Sequence, residues 1–282
     1  MTNNKPPSIP LMLRHASGRI FQEAHYLALA PIQTDLFFDG QVKVAGPASK
    51  ALGAFFTPTP LVRTLAEQSL NRVDLKSKRI HVFDPACGSG EFLREAVRQL
   101  ALRGYKGQVK VTGYDISPPA CLMARFGLAA EAATFGGSLT INIEHRDALD
   151  GQEWVSGVDV CLMNPPFVAW VDMTASQRET VSRVLGETHV KRPDMASAFV
   201  RLAVGSLSQS AVIGAVLPAS FLDGNSSARL REFLLHGTTV ELSARLGNQA
   251  VFMDVTVDPA LLILKRHASG PSVDPTWLVW SD

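Results

Sequence analysis

Residues 80–102 read IHVFDPACGSGEFLREAVRQLAL and hold a strand, a glycine-rich loop and a helix in immediate succession. Ile80 to Phe83 is a short apolar run ending at Asp84, which is typical of a buried strand. From Glu91 the apolar residues recur at helical spacing, and Gly104 follows as a stop signal. This succession predicts the first unit of an open α/β sheet with its ligand site at the carboxyl end of the strand.

The alternation of strands and helices continues through the rest of the chain. Further strands are predicted at 109–114, 139–143, 158–163, 211–217, 240–246 and 260–264, and helices at 118–133, 195–207 and 228–235. The expected fold is therefore α/β, a doubly wound, mostly parallel, Rossmann-like sheet of about seven strands. Residues 1–45 carry no chemical motif and are expected to form an N-terminal helical arm, followed by one catalytic domain over 46–282.

Composition narrows the class of protein. The chain has 282 residues, 46% of them hydrophobic, and its 27 Lys and Arg against 26 Asp and Glu give a net charge of only +1. Any surface for nucleic acid must then be a local patch. The three cysteines are odd in number and lack C-x-x-C spacing, so no disulfide framework and no metal site are expected. With no signal layout and no membrane-length apolar run, a cytoplasmic protein is expected.

The loop from Asp84 to Gly90 is the candidate cofactor site. Asp115 ends the next strand 25 residues beyond Gly90, where a carboxylate can accept hydrogen bonds from two ribose hydroxyls. The loop departs from G-x-G-x-x-G and lacks the Lys-Ser/Thr pair of a phosphate-binding loop. A ligand with a ribose but no phosphate is indicated, although a glycine-rich loop by itself can be only a tight turn.

Two further carboxylates have competing interpretations. Asp147 follows the third strand and can receive the amino group of an adenine, with Ala148 or Leu149 against the ring; the alternative is a helix cap or a solvated turn. Asp84 is placed near an amino group of the ligand, although an Asp before Pro often only orders its own loop.

Asn164-Pro165-Pro166-Phe167 directly follows the fourth strand and lies on the same predicted edge. Proline has no N–H, so these carbonyls are stiffly presented acceptors. An exocyclic amine on a purine is a poor nucleophile because its lone pair is delocalised into the ring. If the Asn164 oxygen and the Pro165 carbonyl each accept one amino hydrogen, the lone pair becomes available. Phe167 would stack on the base; a proline-rich turn is the alternative.

Residues 53–265 resemble the gamma class of DNA N6-adenine methyltransferases of restriction-modification and phage-defence systems. Phe55-Phe-Thr-Pro58 looks like the family's upstream cofactor motif, the loop from Asp84 like its glycine loop, and Asn164 to Phe167 like its catalytic tetrapeptide. The resemblance implies S-adenosylmethionine as cofactor, with Asp84 near its methionine amino group. It implies cofactor contacts from Phe55, Thr57, Pro58, Asp84, Ala86, Cys87, Gly88, Gly90, Asp115, Ile116, Asp147, Ala148 and Asn164.

The resemblance extends to two later positions. Asn248 to Phe252 resembles the motif whose aromatic residue packs on the other face of a flipped base, so Phe252 is a candidate for that contact or else a core residue. Asp194 resembles an acidic helix start and either caps that helix, which is favoured, or supports the active loop. Cytosine C5 methylation needs a thiolate, and none of the cysteines occupies a position suited to it.

Two departures from the family bear on the substrate. Phe167 stands where many relatives have Tyr, which keeps the stacking face. Only 17 residues follow Lys265, whereas the family usually carries a target-recognition domain there, so recognition of double-stranded DNA is expected from a domain or subunit in the same or another chain.

The stretch from 168 to 193 is expected to be a long loop that reaches the DNA backbone through Arg178, Arg183, Lys191 and Arg192; a solvated basic face is the alternative. Methylation of a protein glutamine, methylation of RNA adenine, and a non-catalytic cofactor-binding subunit remain open as other functions.

Overall fold

The computed structural model describes residues 57–246 and 258–267. The predicted N-terminal arm, Phe55 and Phe252 lie outside these residues. The helices are α1 Thr59–Leu70, α2 Glu91–Leu102, α3 Pro118–Ala132, α4 Ala175–Leu185, α5 Met195–Ser206, α6 Ser220–Asp223 and α7 Ala228–Gly237. The strands are β1 Arg79–Asp84, β2 Gln108–Asp115, β3 Ser138–His145, β4 Val160–Met163, β5 Val212–Pro218, β6 Thr238–Arg245 and β7 Pro259–Arg266.

The strands form one sheet of seven, in the order β3-β2-β1-β4-β5-β7-β6. The first five strands in this order are parallel, and β7 runs antiparallel to both of its neighbours. The predicted doubly wound, mostly parallel, seven-stranded fold is therefore confirmed. The register pairs Asp84 of β1 with Gly113 of β2 and Phe83 with Cys161 of β4, so these three strands end at one edge.

Both faces of the sheet are covered, as a parallel sheet requires. Alternate residues of β1 point to opposite faces: Val82 joins the core formed with α1, α2 and α3, and Phe83 joins the core formed with α4, α5 and α7. β5 is buried along its whole length, which explains its continuous apolar sequence. No helix among the described residues is long and apolar enough to cross a membrane.

The expected long loop at 168–193 is wrong. This stretch contains a 3₁₀ turn at Trp170–Asp172, helix α4 and a second 3₁₀ turn at Gly186–Thr188. Thr174 and Gln177 form a reciprocal capping box at the start of α4, and Val181 and Leu185 are buried on its inner face. The Thr-x-x-Gln signal was present in the sequence, but its few apolar residues made the helical period weak.

Candidate active site

Four loops meet at the carboxyl edge of the sheet: those after β1, β2, β3 and β4. They carry the glycine loop that begins at Asp84, Asp115, Asp147, and the tetrapeptide that begins at Asn164. Because the strands are parallel neighbours in the order β3-β2-β1-β4, the predicted cofactor residues and the predicted catalytic residues lie next to one another along one edge.

Asp115 fastens the glycine loop to the end of β2. Its Oδ2 accepts a hydrogen bond of 2.8 Å from the Gly88 amide, and its Oδ1 accepts one of 2.8 Å from the Ser117 amide. The Cys87 amide donates to the Tyr114 carbonyl at 2.9 Å. Asp115 therefore holds the glycine loop in place, in addition to its predicted contact with a ribose. The sequence did not indicate the first of these tasks.

Gly88 and Gly90 differ in the space that surrounds each of them. Both have positive φ angles, +52° and +81°, which L side chains rarely adopt. A Cβ on Gly88 would meet nothing within 4 Å, whereas one on Gly90 would lie 3.0 Å from the Ala124 Cβ of α3. Gly88 therefore faces the open edge where a ligand can approach, and Gly90 allows α3 to pack against the loop.

Asp84 is a buried carboxyl, with 1% of its surface exposed. Its Oδ1 accepts from the Ala86 amide at 3.0 Å, so the loop-ordering interpretation holds locally. Burial, together with the nearby Asp115, raises the pKa of Asp84 to about 8. A cationic group placed beside it would favour the ionised form, so the site suits the ammonium of a bound ligand.

Of Ile116 and Ala148, the two apolar residues predicted to contact the cofactor near its adenine, one is exposed. Ile116, directly after Asp115, is 60% exposed, whereas Ala148 is 3% exposed and packs into the core. Asp147 is exposed, and its Oδ1 accepts from the Leu149 amide at 2.8 Å, which is the turn that the sequence left open. Ile116 therefore offers an accessible surface on which a ring can pack, whereas Ala148 is almost fully covered by the core.

Asn164 is held by a residue from the start of the described chain. Its Nδ2 donates to the Thr57 Oγ1 at 2.8 Å, and Thr57 is itself buried. Pro165 is buried and Phe167 is partly buried, packing against both cores. Thr57 was predicted only as a cofactor contact, so this hydrogen bond between residues 107 positions apart in the sequence was missed. Pairing over that distance leaves no local sequence signal.

The side chains that could act as thiolate nucleophiles or as metal ligands bear on the chemistry of the site. Burial raises the pKa of Cys87, Cys121 and Cys161, and for Cys87 the nearby Asp84 adds to the effect. A protonated, buried thiol is a poor nucleophile. Across residues 57–246 and 258–267 no cluster of three or more His, Cys, Asp or Glu side chains is arranged to hold a metal ion.

Asp194 caps α5, which agrees with the favoured prediction. Its Oδ1 accepts from the Ser197 amide at 2.8 Å and from the Ser197 hydroxyl at 3.0 Å. The Met195 amide donates to the Val168 carbonyl at 3.0 Å. The start of α5 is thereby tied to the residue that follows Phe167.

The four basic residues after the tetrapeptide do not form one group. Arg178 donates to the Trp170 and Val171 carbonyls at 2.9 and 3.1 Å, and Arg183 donates to the Leu149 carbonyl at 3.4 Å. Lys191 and Arg192 are exposed.

Comparison with known families decides the kinship of the chain. The model of the family described as N-6 DNA Methylase matches residues 42–279. The chain belongs to the N-6 DNA Methylase family. The predicted kinship with DNA N6-adenine methyltransferases is confirmed at this level, and the assignment to the gamma class stays a prediction.

Curated relatives of this N-6 DNA Methylase chain are restriction-modification proteins. A Type II methyltransferase, M.BanIII of Aneurinibacillus aneurinilyticus, is 24% identical over 233 residues, covering 78% of this chain and 40% of the relative. The methylase subunit of the Type I restriction enzyme MpnII of Mycoplasma pneumoniae is 25% identical over 238 residues, covering 78% and 41%. The chain thus spans about two fifths of the length of these relatives.

Solved structures share its fold. A putative class I S-adenosylmethionine-dependent methyltransferase from Listeria monocytogenes has a TM-score of 0.61 at 19% identity, covering 96% of this chain and 75% of the other. The methyltransferase subunit of a Type I restriction-modification system from Streptococcus thermophilus has a TM-score of 0.60 at 20% identity, covering 84% and 53%. These likenesses concern the fold of the sheet and its helices.

Proposed function

We propose that this chain transfers a methyl group from S-adenosylmethionine to the exocyclic N6 of a flipped-out adenine in DNA. The observation that carries the proposal is the Asn164 amide, anchored to Thr57 at 2.8 Å on the edge that also presents the glycine loop. Membership of the N-6 DNA Methylase family supports it.

The residues of the edge fit the cofactor. S-adenosylmethionine supplies a methyl group on a positively charged sulfur, which is the electrophile. Asp115 would accept from its ribose, Ile116 would pack on its adenine, and Asp84 would face its ammonium group. The buried Asp84 carboxyl, with its pKa near 8, gains most from such a cation because burial deprives it of water.

The tetrapeptide would make the substrate nitrogen reactive. Because the Asn164 Nδ2 donates to Thr57, an incoming amino group meets the amide through its oxygen, which accepts one amino hydrogen. The Pro165 carbonyl would accept the other. Both contacts favour a tetrahedral nitrogen with its lone pair directed at the methyl donor. Phe167 would stack on the base, which contributes roughly 1–3 kcal/mol toward the cost of flipping.

Target recognition would come from elsewhere in the assembly. The matched relatives are more than twice as long as the part that this chain covers, and one of them is described as a methylase subunit of a Type I restriction enzyme. We therefore include in the proposal a target-recognition domain or subunit, in the same or another polypeptide, acting on double-stranded DNA.

Transfer of labelled methyl groups tests the proposal. The full-length protein is given labelled S-adenosylmethionine with duplex DNA of mixed sequence, RNA, or a protein that carries an accessible glutamine. Label is expected in DNA, as N6-methyladenine. Asn164→Ala is expected to lower kcat by on the order of 100-fold or more, because one transition-state contact is lost. Thr57→Val is expected to lower it by about tenfold to 100-fold through misplacement of the amide.

Asn142→Ala is the matched control. Asn142 is an exposed asparagine of β3 that donates to Glu144, and its loss should leave kcat unchanged. Label in RNA or protein alone, or DNA labelling that Asn164→Ala does not reduce, would refute the proposed reaction.

A further inference from the structure

A small cleft lies between the Trp170–Asp172 turn and helix α4, in the segment that follows the tetrapeptide along the chain. It has a volume of about 270 Å³ and is lined by Trp170, Val171, Arg178 and Arg192. This is below the roughly 300–1,000 Å³ of pockets that enclose a whole small molecule, and Val171 is 62% exposed. The cleft therefore suits one segment of a polymer better than a free metabolite.

The lining is aromatic and cationic. Arg178 stands 5.9 Å from the centroid of the Trp170 ring, and its two hydrogen bonds to backbone carbonyls fix the guanidinium without neutralising it. No carboxylate within 4.0 Å pairs with Arg178 or Arg192 in the part of the chain that the structure describes. Two uncompensated guanidinium groups beside an indole match the chemistry of a nucleotide, a phosphate joined to a flat base.

The turn at Lys191 adds a third cation. Lys191 has a φ of +55°, in the left-handed region that favours glycine. The side chain is exposed, and Lys191 directly precedes Arg192 in the sequence, so the turn carries a positive charge next to a residue that lines the cleft.

The cleft is close to the tetrapeptide along the chain. Trp170 lies three positions after Phe167, so their Cα atoms are at most about 11 Å apart, from roughly 3.6 Å per extended residue. A nucleotide whose base contacts Phe167 therefore has its own phosphate within reach of the cleft.

We propose that this cleft binds the target strand of DNA beside the flipped adenine, with Arg178 and Arg192 on a phosphate and Trp170 against the neighbouring nucleotide. The assignment rests on the proposed function and divides the basic residues of the segment into two groups. Arg178, Arg192 and the adjoining Lys191 face DNA. Arg183 lies on helix α4, as Arg178 does, but it donates a hydrogen bond to the Leu149 carbonyl.

The salt dependence of binding tests the cleft. Binding of the full-length protein to duplex DNA of mixed sequence is measured by fluorescence anisotropy over a range of salt concentrations. Arg192→Gln is expected to weaken binding several-fold and to reduce the slope of log K against log salt by about 0.9, the value of one phosphate contact. Trp170→Ala should weaken binding with the slope unchanged, because it removes stacking and no charge.

Arg183→Gln is the matched control and should leave both the affinity and the slope at the wild-type values. Equal behaviour of Arg192→Gln and Arg183→Gln would overturn the assignment, as would tighter binding of duplex RNA than of duplex DNA. If Trp170→Ala proves to be unfolded by circular dichroism, the Arg192 and Arg183 pair, both with exposed side chains, still decides the question.

Methyl transfer measured in parallel keeps the two proposals apart. Arg192→Gln should raise the KM for DNA and leave kcat unchanged at saturating DNA, whereas Asn164→Ala should lose kcat and keep its DNA affinity. A wild-type protein that labels no DNA refutes the proposed reaction, and the salt slopes still decide whether the cleft binds phosphate. Labelled DNA with unaltered binding by Arg192→Gln refutes the cleft alone.

Discussion

At the scale of single residues, the Asp84 carboxyl carries the strongest electrostatic consequence. It is enclosed at the end of β1, and the titratable groups that face it from residues 57–246 and 258–267 are Asp115 from β2, Cys87 from its own loop and Cys161 from β4. None of these is a cation. Its raised pKa of about 8 therefore means that the ligand-free site is mostly protonated at neutral pH.

Affinity for S-adenosylhomocysteine should rise from pH 6 to about pH 7.5. Below the raised pKa, binding of the ligand ammonium requires Asp84 to release a proton, which costs up to about 1.4 kcal/mol for each pH unit. Above about pH 8 the ligand's own α-amino group loses its charge, so the affinity stops rising. Titration calorimetry in buffers of different ionisation enthalpy should show proton release on binding.

Asp84→Asn should weaken binding and abolish the proton release. Asp74→Asn, which changes an exposed carboxylate near the opposite end of β1, should leave both as in the wild type. Unchanged proton release in Asp84→Asn would contradict the assigned site.

The raised pKa of Asp84 also affects the stability of the fold. As pH rises from about 4 to 8, the ligand-free protein should lose stability, because over this range only the folded state still binds the proton.

The sequence predicted the position of the Asp84 carboxylate but not its burial or its protonation. Asp84 and Asp115 were placed because parallel strands end together, and this follows from strand order alone. The burial of Asp84 and the contact between Thr57 and Asn164 depend on how distant segments pack, so no local pattern could show them. Ile116 and Ala148 looked equivalent in sequence, yet the packing of the loop after β3 leaves only Ile116 exposed.

At the scale of elements, the start of α5 links the fold to the catalytic loop. Asp194 caps the helix, and the next amide, that of Met195, holds the Val168 carbonyl. Asp194→Ala should lower the free energy of unfolding by about 1 kcal/mol, within the usual 0.5–2 kcal/mol for a lost cap. Urea denaturation followed by circular dichroism measures it. Asp194→Asn keeps an acceptor and should lose much less; an equal loss in both variants would show that the charge, and not the cap, matters.

Elements were predictable where their hydrophobic period was strong. Within residues 57–246 and 258–267, the boundaries of the strands and helices that were predicted lie within two residues of the structure, because buried strands and α2 are almost continuously or periodically apolar. Helix α4 was missed because only Val181 and Leu185 are buried on it, so its inner face is too narrow to produce a clear period. The consequence was substantive, since part of the predicted loop is a helix whose Arg178 lines the cleft at Trp170.

At the scale of the whole molecule, the rates at which the three buried thiols react measure how easily different parts of the fold unfold. Cys87 lies in the glycine loop, Cys121 in α3 and Cys161 in β4, and they are 6%, 1% and 0% exposed. A thiol reagent must wait for each region to open. Cys161 lies in the centre of the sheet, between β1 and β5, so its exposure requires unfolding of the core. Cys87 requires only that the loop leave the end of β2, where Asp115 and Tyr114 hold it.

Cys87 should therefore react with a thiol reagent faster than Cys121 or Cys161 in the ligand-free protein, as mass spectrometry of the labelled peptides would show. S-adenosylhomocysteine at 100 times its Kd should slow Cys87 by about 100-fold, because the ligand binds only the closed loop and adds about 2.7 kcal/mol to the cost of opening. Cys161 should slow by a similar factor, because unfolding of the core also destroys the ligand site. Protection of Cys161 without protection of Cys87 would place the ligand away from the carboxyl edge and would contradict the cofactor site.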